Sequence, residues 1–234
     1  MIQNRLISQK VSIPVKGKED VSGVITIPEV FCTGKGMGII LAHGARNDME
    51  HPLIVSLSQG LAEKGFLTLR FNFPYIEKGK KTPDSRDTLI LTWQYVYRFL
   101  KEGTEYRTDT IFAAGKSMGG RVASQMVAEG LLATNGLIFL GYPLHPPGRK
   151  GKMTDAHLYH IKIPMLFFAG THDSLCDLKT LKKVLDRLDS SWHLEIIEGG
   201  DHSFVLPKSA ETTQQEVYGH ILNKTVDWLT SKIN

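Results

Sequence analysis

Ile111-Phe112-Ala113-Ala114-Gly115-Lys116-Ser117-Met118-Gly119-Gly120-Arg121-Val122-Ala123-Ser124-Gln125-Met126-Val127-Ala128 joins a buried strand to an amphipathic helix through a glycine-rich turn. Its first four residues are continuously apolar, as in a strand buried on both faces. Val122, Ala123, Met126 and Val127 then recur at helical spacing. Ser117 therefore falls where a strand turns sharply into a helix. Such a turn holds the serine in a strained backbone conformation with its hydroxyl projecting. Gly115 and Gly119 leave room for the two backbones to pass closely. Two blander readings compete. Ser117 could be an ordinary helix N-cap. A phosphate-binding loop ending in Gly115-Lys116-Ser117 would need glycine at position 110, where Thr110 stands.

Working outward, the flanking chain alternates strands and helices. Val11–Val15 and Val21–Ile27 read as an antiparallel hairpin about the charged turn 16–20. Met37–Ala42 is a short apolar run suited to a central parallel strand, and Gly34-Lys35-Gly36 leads into it. Pro52 opens a helix with Leu53, Ile54, Leu57 and Leu61 on one face, ending near Gly65. Phe66–Phe71 is a strand, Asp87–Leu100 a helix, Thr110–Ala114 the strand before Ser117, and Gly136–Gly141 another strand. Ile163–Ala169 and Trp192–Ile197 are the last two strands, with helices over Asp177–Leu188 and Glu211–Leu229. This order predicts an α/β fold, about eight strands in a mostly parallel sheet with helices on both faces, and Ser117 after the fifth strand. The segment between Gly141 and Ile163 is short and rich in proline, too short for a separate lid domain. Residues 1–234 read as a single domain with an open cleft.

Composition narrows the function classes. The 234 residues are 41% hydrophobic and 22% charged, with a formal net charge of +4. That mild positive charge gives no case for nucleic acid, and no apolar run approaches the length of a membrane span. Cys32 and Cys176 are too few and too far apart for a disulfide framework. With no apolar core for a signal peptide near Met1, they read as reduced thiols in a cytoplasmic protein. No pair of histidines has metal-ligand spacing, and neither a metal nor another cofactor is implied.

In an open parallel sheet the loops after the strands gather at one edge and build the site. A serine nucleophile needs a base and an acid there. Asp173, in Gly170-Thr171-His172-Asp173 after the next-to-last strand, is placed as the acid, with Asp177 the fallback, although Asp177 looks more like a helix cap. His202, in Gly199-Gly200-Asp201-His202 after the last strand, is the expected base, the glycine pair letting the loop bring its ring over the sheet edge. Two backbone N–H groups must bind the developing oxyanion. Met118, next to Ser117, and Ala45, in His43-Gly44-Ala45, are the candidates. Arg46, Lys78, Lys80, Lys81, Arg149, Lys150 and Lys152 fall in loops at the same edge. They are either solvated loop charge or a field that steers anionic substrates or partners.

Over essentially its full length the chain resembles the α/β-hydrolase superfamily, and within it the small lidless branch of dienelactone-hydrolase-like and testis-expressed hydrolase-like proteins. The resemblance rests on His43-Gly44-Ala45, the Gly115–Arg121 turn, Gly141-Tyr142-Pro143-Leu144-His145-Pro146-Pro147-Gly148 and Asp201-His202-Ser203. Dienelactone hydrolases use a cysteine nucleophile, and Ser117 departs from that, so their substrate does not carry over. The expectation is a serine hydrolase acting on a small-molecule carboxylic ester or related acyl compound, short-chain because an open cleft buries little of it. A thioesterase or peptidase would share the same triad, and the alternative from a different class is a non-catalytic interaction module with a protein partner on the same fold.

Overall fold

A computed structural model describes residues 5–31, 36–106, 108 and 110–232. Cys32 and the Gly34-Lys35 lead-in lie outside the described residues. The chain runs β1 (Leu6–Ile13), β2 (Val21–Pro28), β3 (Met37–Ala42), α1 (Pro52–Glu63), β4 (Leu67–Phe71), α2 (Pro74–Glu77), α3 (Arg86–Glu102), β5 (Thr110–Lys116), α4 (Met118–Ala128), β6 (Gly136–Leu140), a 3₁₀ turn (Ala156–His160), β7 (Met165–Gly170), α5 (Leu178–Leu185), β8 (Trp192–Ile197) and α6 (Gln214–Thr230). The eight strands form one sheet in the order β1-β2-β4-β3-β5-β6-β7-β8. β2 is antiparallel to β1 and β4, and every later pairing is parallel.

Continuous apolar strands follow from two covered faces. Ile40, Ala42, Ile111, Ala113, Leu137, Phe139 and Phe167 face a core closed by α3, α4 and α5. Their neighbours Ile39, Leu41, Phe112, Ala114, Ile138, Leu140 and Phe168 face a second core closed by α1 and α6. Successive side chains point to opposite faces, so a strand covered on both sides loses its polar alternation. β1 shows the converse. It begins at Leu6, five residues before the expected start, because its polar Ser8, Gln9 and Lys10 are exposed on an edge strand that pairs along the whole of β2. Alternation there is too weak to read from sequence. The other boundaries move by a few residues, toward the side-chain caps Ser85 for α3 and Thr213 for α6. The 3₁₀ turn and the four-residue α2 carry too little periodicity to be foreseen.

The chain reverses direction across the sheet twice, at β3 and at β4. From β3 the chain crosses to β4 on one side, then returns to place β5 on the other. The crevice beyond the carboxyl ends of β3 and β5 is where such a sheet opens toward a ligand. Ala42 pairs with Gly115 there, so the loops that leave both strands start level.

Candidate active site

Ser117 has φ 49° and ψ −111°, a region that non-glycine residues rarely enter. The surroundings enforce it. A Cβ on Gly115 would lie 2.6 Å from Gly120 Cα, and one on Gly120 would lie 2.7 Å from Gly115 O. Strand and helix therefore cross at the Gly115–Gly120 pair, with Ser117 on the tip between them. The same Gly115 Cβ would lie 2.5 Å from Gly119 C, and Gly119 has a further duty. A Cβ there would strike His43 O at 2.6 Å, so this glycine lets α4 approach the end of β3. Ser117 occupies the N-cap position of α4, but its side chain makes no capping hydrogen bond.

The hydroxyl is used elsewhere. Ser117 Oγ lies 2.8 Å from His202 Nε2, and His202 Nδ1 lies 2.7 Å from Asp173 Oδ2. A carboxylate only accepts, so Nδ1 carries the proton and Nε2 presents its lone pair to the serine. The Asp173 carboxyl is fully buried, and its other oxygen accepts the Leu175 N–H at 2.7 Å. Asp177, the fallback acid, caps α5 instead: Oδ1 accepts the Thr180 N–H at 2.8 Å. Its carboxyl is held below the usual range by the Thr180 hydroxyl and amide.

Close backbone contacts bring the His202 loop over the sheet. Gly199 takes φ 71°, as a turn after β8 requires. Two glycines not singled out in the sequence matter as much. A Cβ on Gly170 would collide with Gly200 O and lie 2.7 Å from Asp201 O, and one on Gly141 would lie 2.8 Å from His202 O. Asp201 then fixes the tip, its Oδ1 accepting the Ser203 and Val205 N–H groups at 2.7 and 2.9 Å.

The candidate oxyanion donors are prepared in two ways. Met118 is the first residue of α4, so its N–H has no partner within the helix. Ala45 is set by its neighbour. His43, fully buried, donates Nδ1–H to Gly44 O at 2.8 Å and accepts the Phe73 N–H on Nε2 at 3.1 Å. The Tyr75 hydroxyl also reaches Gly44 O, at 3.4 Å. Burial pushes the His43 pKa down to about 4, so the ring is neutral and keeps this tautomer. Gly44 C=O and Ala45 N–H belong to one planar trans peptide and point in opposite directions. Holding the carbonyl inward turns the Ala45 N–H outward, on the side of the cleft that Ala45 lines.

That cleft has a volume of about 750 Å³, and Ala45, Ser117, Met118 and His202 all line it. Leu89, Val122, Pro143, Pro147 and Leu175 supply apolar wall. Of the basic residues singled out in the sequence, only Arg46 lines it. Lys150 lines a neighbouring depression, and Lys78 lies 4.0 Å from Glu19. The cleft's other cations are Arg86, Lys116 and Arg121, which belong to helices or to the strand end and so fall outside the charged loops that stand out in the sequence.

A second serine–histidine contact has different surroundings. Ser124 Oγ and Tyr142 Oη lie 2.8 and 3.0 Å from His157 Nε2. Ser124 is fully buried within α4, and its hydroxyl donates to Arg121 O at 2.8 Å. No carboxylate among the described residues is hydrogen-bonded to His157. Burial pushes this imidazole down to about 4. The cluster ties the 3₁₀ turn and the 142–147 wall to the helix behind Ser117. Burial likewise pushes the Cys176 thiol up, which leaves it an inert core side chain. No group of three or more His, Cys, Asp or Glu side chains among the described residues could hold a metal, and none of their helices is long and apolar enough to cross a membrane.

Solved structures share this architecture. Est1E from Butyrivibrio proteoclasticus, with ferulic acid bound, superposes with a TM-score of 0.74 at 17% identity, covering 94% of this chain and 99% of that one. A dienelactone hydrolase from Anabaena variabilis gives 0.71 at 20% identity over 98% of both chains. An α/β serine hydrolase without a lid from Xanthomonas campestris gives 0.72 at 19% identity over 94% of both. The alpha/beta hydrolase domain family matches residues 35–230, the whole parallel part of the sheet and every loop of the candidate site. With that match and the eight-stranded sheet in agreement, the chain belongs to the alpha/beta hydrolase domain family, a family of enzymes, and carries its fold without a lid.

Proposed function

We propose that this chain is a serine hydrolase that cleaves a small carboxylic ester or related acyl compound, with Ser117 as nucleophile, His202 as base and Asp173 as acid. The continuous hydrogen-bonded line from Ser117 Oγ through His202 to Asp173, at 2.8 and 2.7 Å, carries the reading. Ser117 Oγ attacks the carbonyl carbon as its proton passes to His202 Nε2. The Ala45 and Met118 N–H groups bind the oxyanion, and the positive end of α4 adds to their field. The tetrahedral adduct collapses, the bond to the leaving oxygen breaks, and His202 returns the proton to that oxygen. Water repeats the sequence on the acyl-enzyme and frees Ser117. Asp173 holds the ring in the required tautomer throughout. No step calls on a cofactor.

The non-catalytic alternative anticipates a serine and histidine out of reach of each other, and 2.8 Å argues for the hydrolase. Residues 1–234 acting as one domain is part of the same proposal. It is supported by β1 and β2, which precede the matched span yet join the same sheet. Cytoplasmic placement also belongs to it and rests on the free, buried thiol of Cys176. A fluorophosphonate probe and p-nitrophenyl acetate test the mechanism together. The wild-type protein should be labelled and turn over the ester, and Ser117→Ala should do neither. A folded wild-type protein that takes no label would refute it.

A further inference from the structure

The cleft carries an imbalance of charge that the proposed chemistry does not use. Four cations line it, Arg46, Arg86, Lys116 and Arg121, against one carboxylate, Asp84. Arg86 is neutralised by an ion pair with Glu129. Asp84 is occupied, accepting the Tyr75 N–H at 2.8 Å. Arg46, Lys116 and Arg121 have no ion pair and no side-chain hydrogen bond with any described residue.

Lys116 is the most telling of the three. It is only 3% exposed and directly precedes the nucleophile. An ammonium at the end of a side chain so largely withdrawn from water is costly, and proteins ordinarily pair such a group. Two carboxylates, Asp201 and Asp173, act on it, and only through space. Both are engaged elsewhere, Asp201 with the Ser203 and Val205 amides and Asp173 with His202 and Leu175. Burial outweighs them and lowers the Lys116 pKa, so an anion beside this group would offset that penalty.

Arg121 stands one helical turn beyond the nucleophile, its N–H donating to Ser117 O at 3.0 Å, and its side chain is half-buried on the cleft wall. Arg46 directly follows the candidate oxyanion donor Ala45 and takes φ 62°. Three cations without an ion pair among the described residues thus line the cleft that holds Ser117, one from the strand end, one from the helix and one from the loop after β3.

We infer that the cleft takes a substrate bearing a carboxylate a few atoms from the scissile bond, held by Arg121 and Arg46 with Lys116 supplying charge from below. This deepens the proposed function and rests on it. The apolar wall of Leu89, Val122 and Pro147 receives the carbon skeleton between the two polar ends. A guanidinium fork matches a carboxylate in two parallel hydrogen bonds, so recognition should fix orientation as well as charge.

Two pairs of esters test the idea, one with the charge on the acyl side and one with it on the leaving group. The first is p-nitrophenyl hemiglutarate against p-nitrophenyl valerate, the second 4-acetoxybenzoate against its methyl ester. In one pair or the other, the charged ester should show the higher kcat/KM by about tenfold or more, which is ~1.4 kcal/mol. Arg121→Gln, and Arg46→Asn, which tolerates the positive φ, should lower that charged-to-neutral ratio about tenfold. Lys116→Met should lower it as well. A neutral preference in both pairs, or a ratio unmoved by all three variants, overturns the inference. If Ser117 takes the fluorophosphonate label while no charge preference appears, this inference falls and the hydrolase stands. If neither label nor turnover is seen, the hydrolase falls, and calorimetric binding of glutarate to the wild-type protein decides the subsite alone. Arg121-dependent binding upholds the subsite and no binding removes it.

Discussion

Replacing Gly170 by alanine places a methyl group where β7 meets the His202 loop. The new Cβ would lie 2.7 Å from Asp201 O and collide with Gly200 O, both backbone atoms that cannot rotate away. Comfortable carbon contacts need about 3.5 Å, so the loop must retreat by about 1 Å. His202 is two residues beyond Gly200 and 2.8 Å from Ser117 Oγ. The same retreat would stretch that contact to about 4 Å, beyond hydrogen-bond range. It also strains the bond from His172 N to Gly200 O, 2.9 Å long, in the turn that carries Asp173. A displacement of this size in a catalytic constellation costs on the order of 100-fold in rate, or ~2.7 kcal/mol of barrier. Overpacking costs about 1–3 kcal/mol of stability, which leaves the protein folded and lowers Tm by several degrees. The assay is kcat on p-nitrophenyl acetate together with the second-order rate of fluorophosphonate labelling, beside a thermal melt. Gly151→Ala is the control, since a Cβ there meets nothing within 4 Å. Wild-type kcat in a Gly170→Ala protein with an unchanged melt would refute the argument that this contact sets the position of His202.

Three further outcomes follow from the same geometry. His43→Phe removes the donor that fixes the Gly44 carbonyl, frees the Ala45 peptide to rotate, and should lower kcat by roughly 100-fold; labelling and turnover at wild-type rates would count against Ala45 as an oxyanion donor. His43 stays neutral in the fold down to about pH 4, whereas the unfolded chain binds its proton near 6.5, so its contribution is complete above pH 6.5 and is lost as pH falls toward 4. That loss is about 3 kcal/mol. Urea midpoints measured for wild type and His43→Gln should converge as pH falls through that window, and parallel curves would contradict the buried neutral ring. Gly219 lies inside α6 with open space beside it, so Gly219→Ala should stabilise the protein by ~0.5–1 kcal/mol in the same unfolding assay; a lowered midpoint would mean that the helix face is not open.

Much of the site was legible because its chemistry is local. A serine between a strand and a helix, an aspartate after the next strand but one and a histidine after the last are facts of chain order. A parallel sheet sends every such loop to one edge. Other parts depended on pairs of residues distant in sequence. The cations that line the cleft are an example. Lys116 and Arg121 sit in the same stretch as Ser117, yet nothing local says that one is buried without an ion pair and that the other lines the cleft. Arg149 and Lys152, conspicuous as loop charge, do not line the cleft. Asp177 and Asp173 lie four residues apart, and only the position of the His202 ring separates a helix cap from its carboxylate partner.

The strand–helix alternation, the strained turn at Ser117 and the order of serine, acid and base are written in local pattern, because periodicity and glycine placement act over a few residues. Tertiary structure decided which glycines are close contacts. Gly141 and Gly170 gain their meaning only from the His202 loop that crosses them, and Gly119 from the end of β3. It also decided the tautomer of His43, because Gly44 and Phe73 reach the same ring from β3 and β4. Hydrogen bonds, buried charge and excluded volume between distant segments arise only when the sheet closes, and no local pattern of residues encodes them.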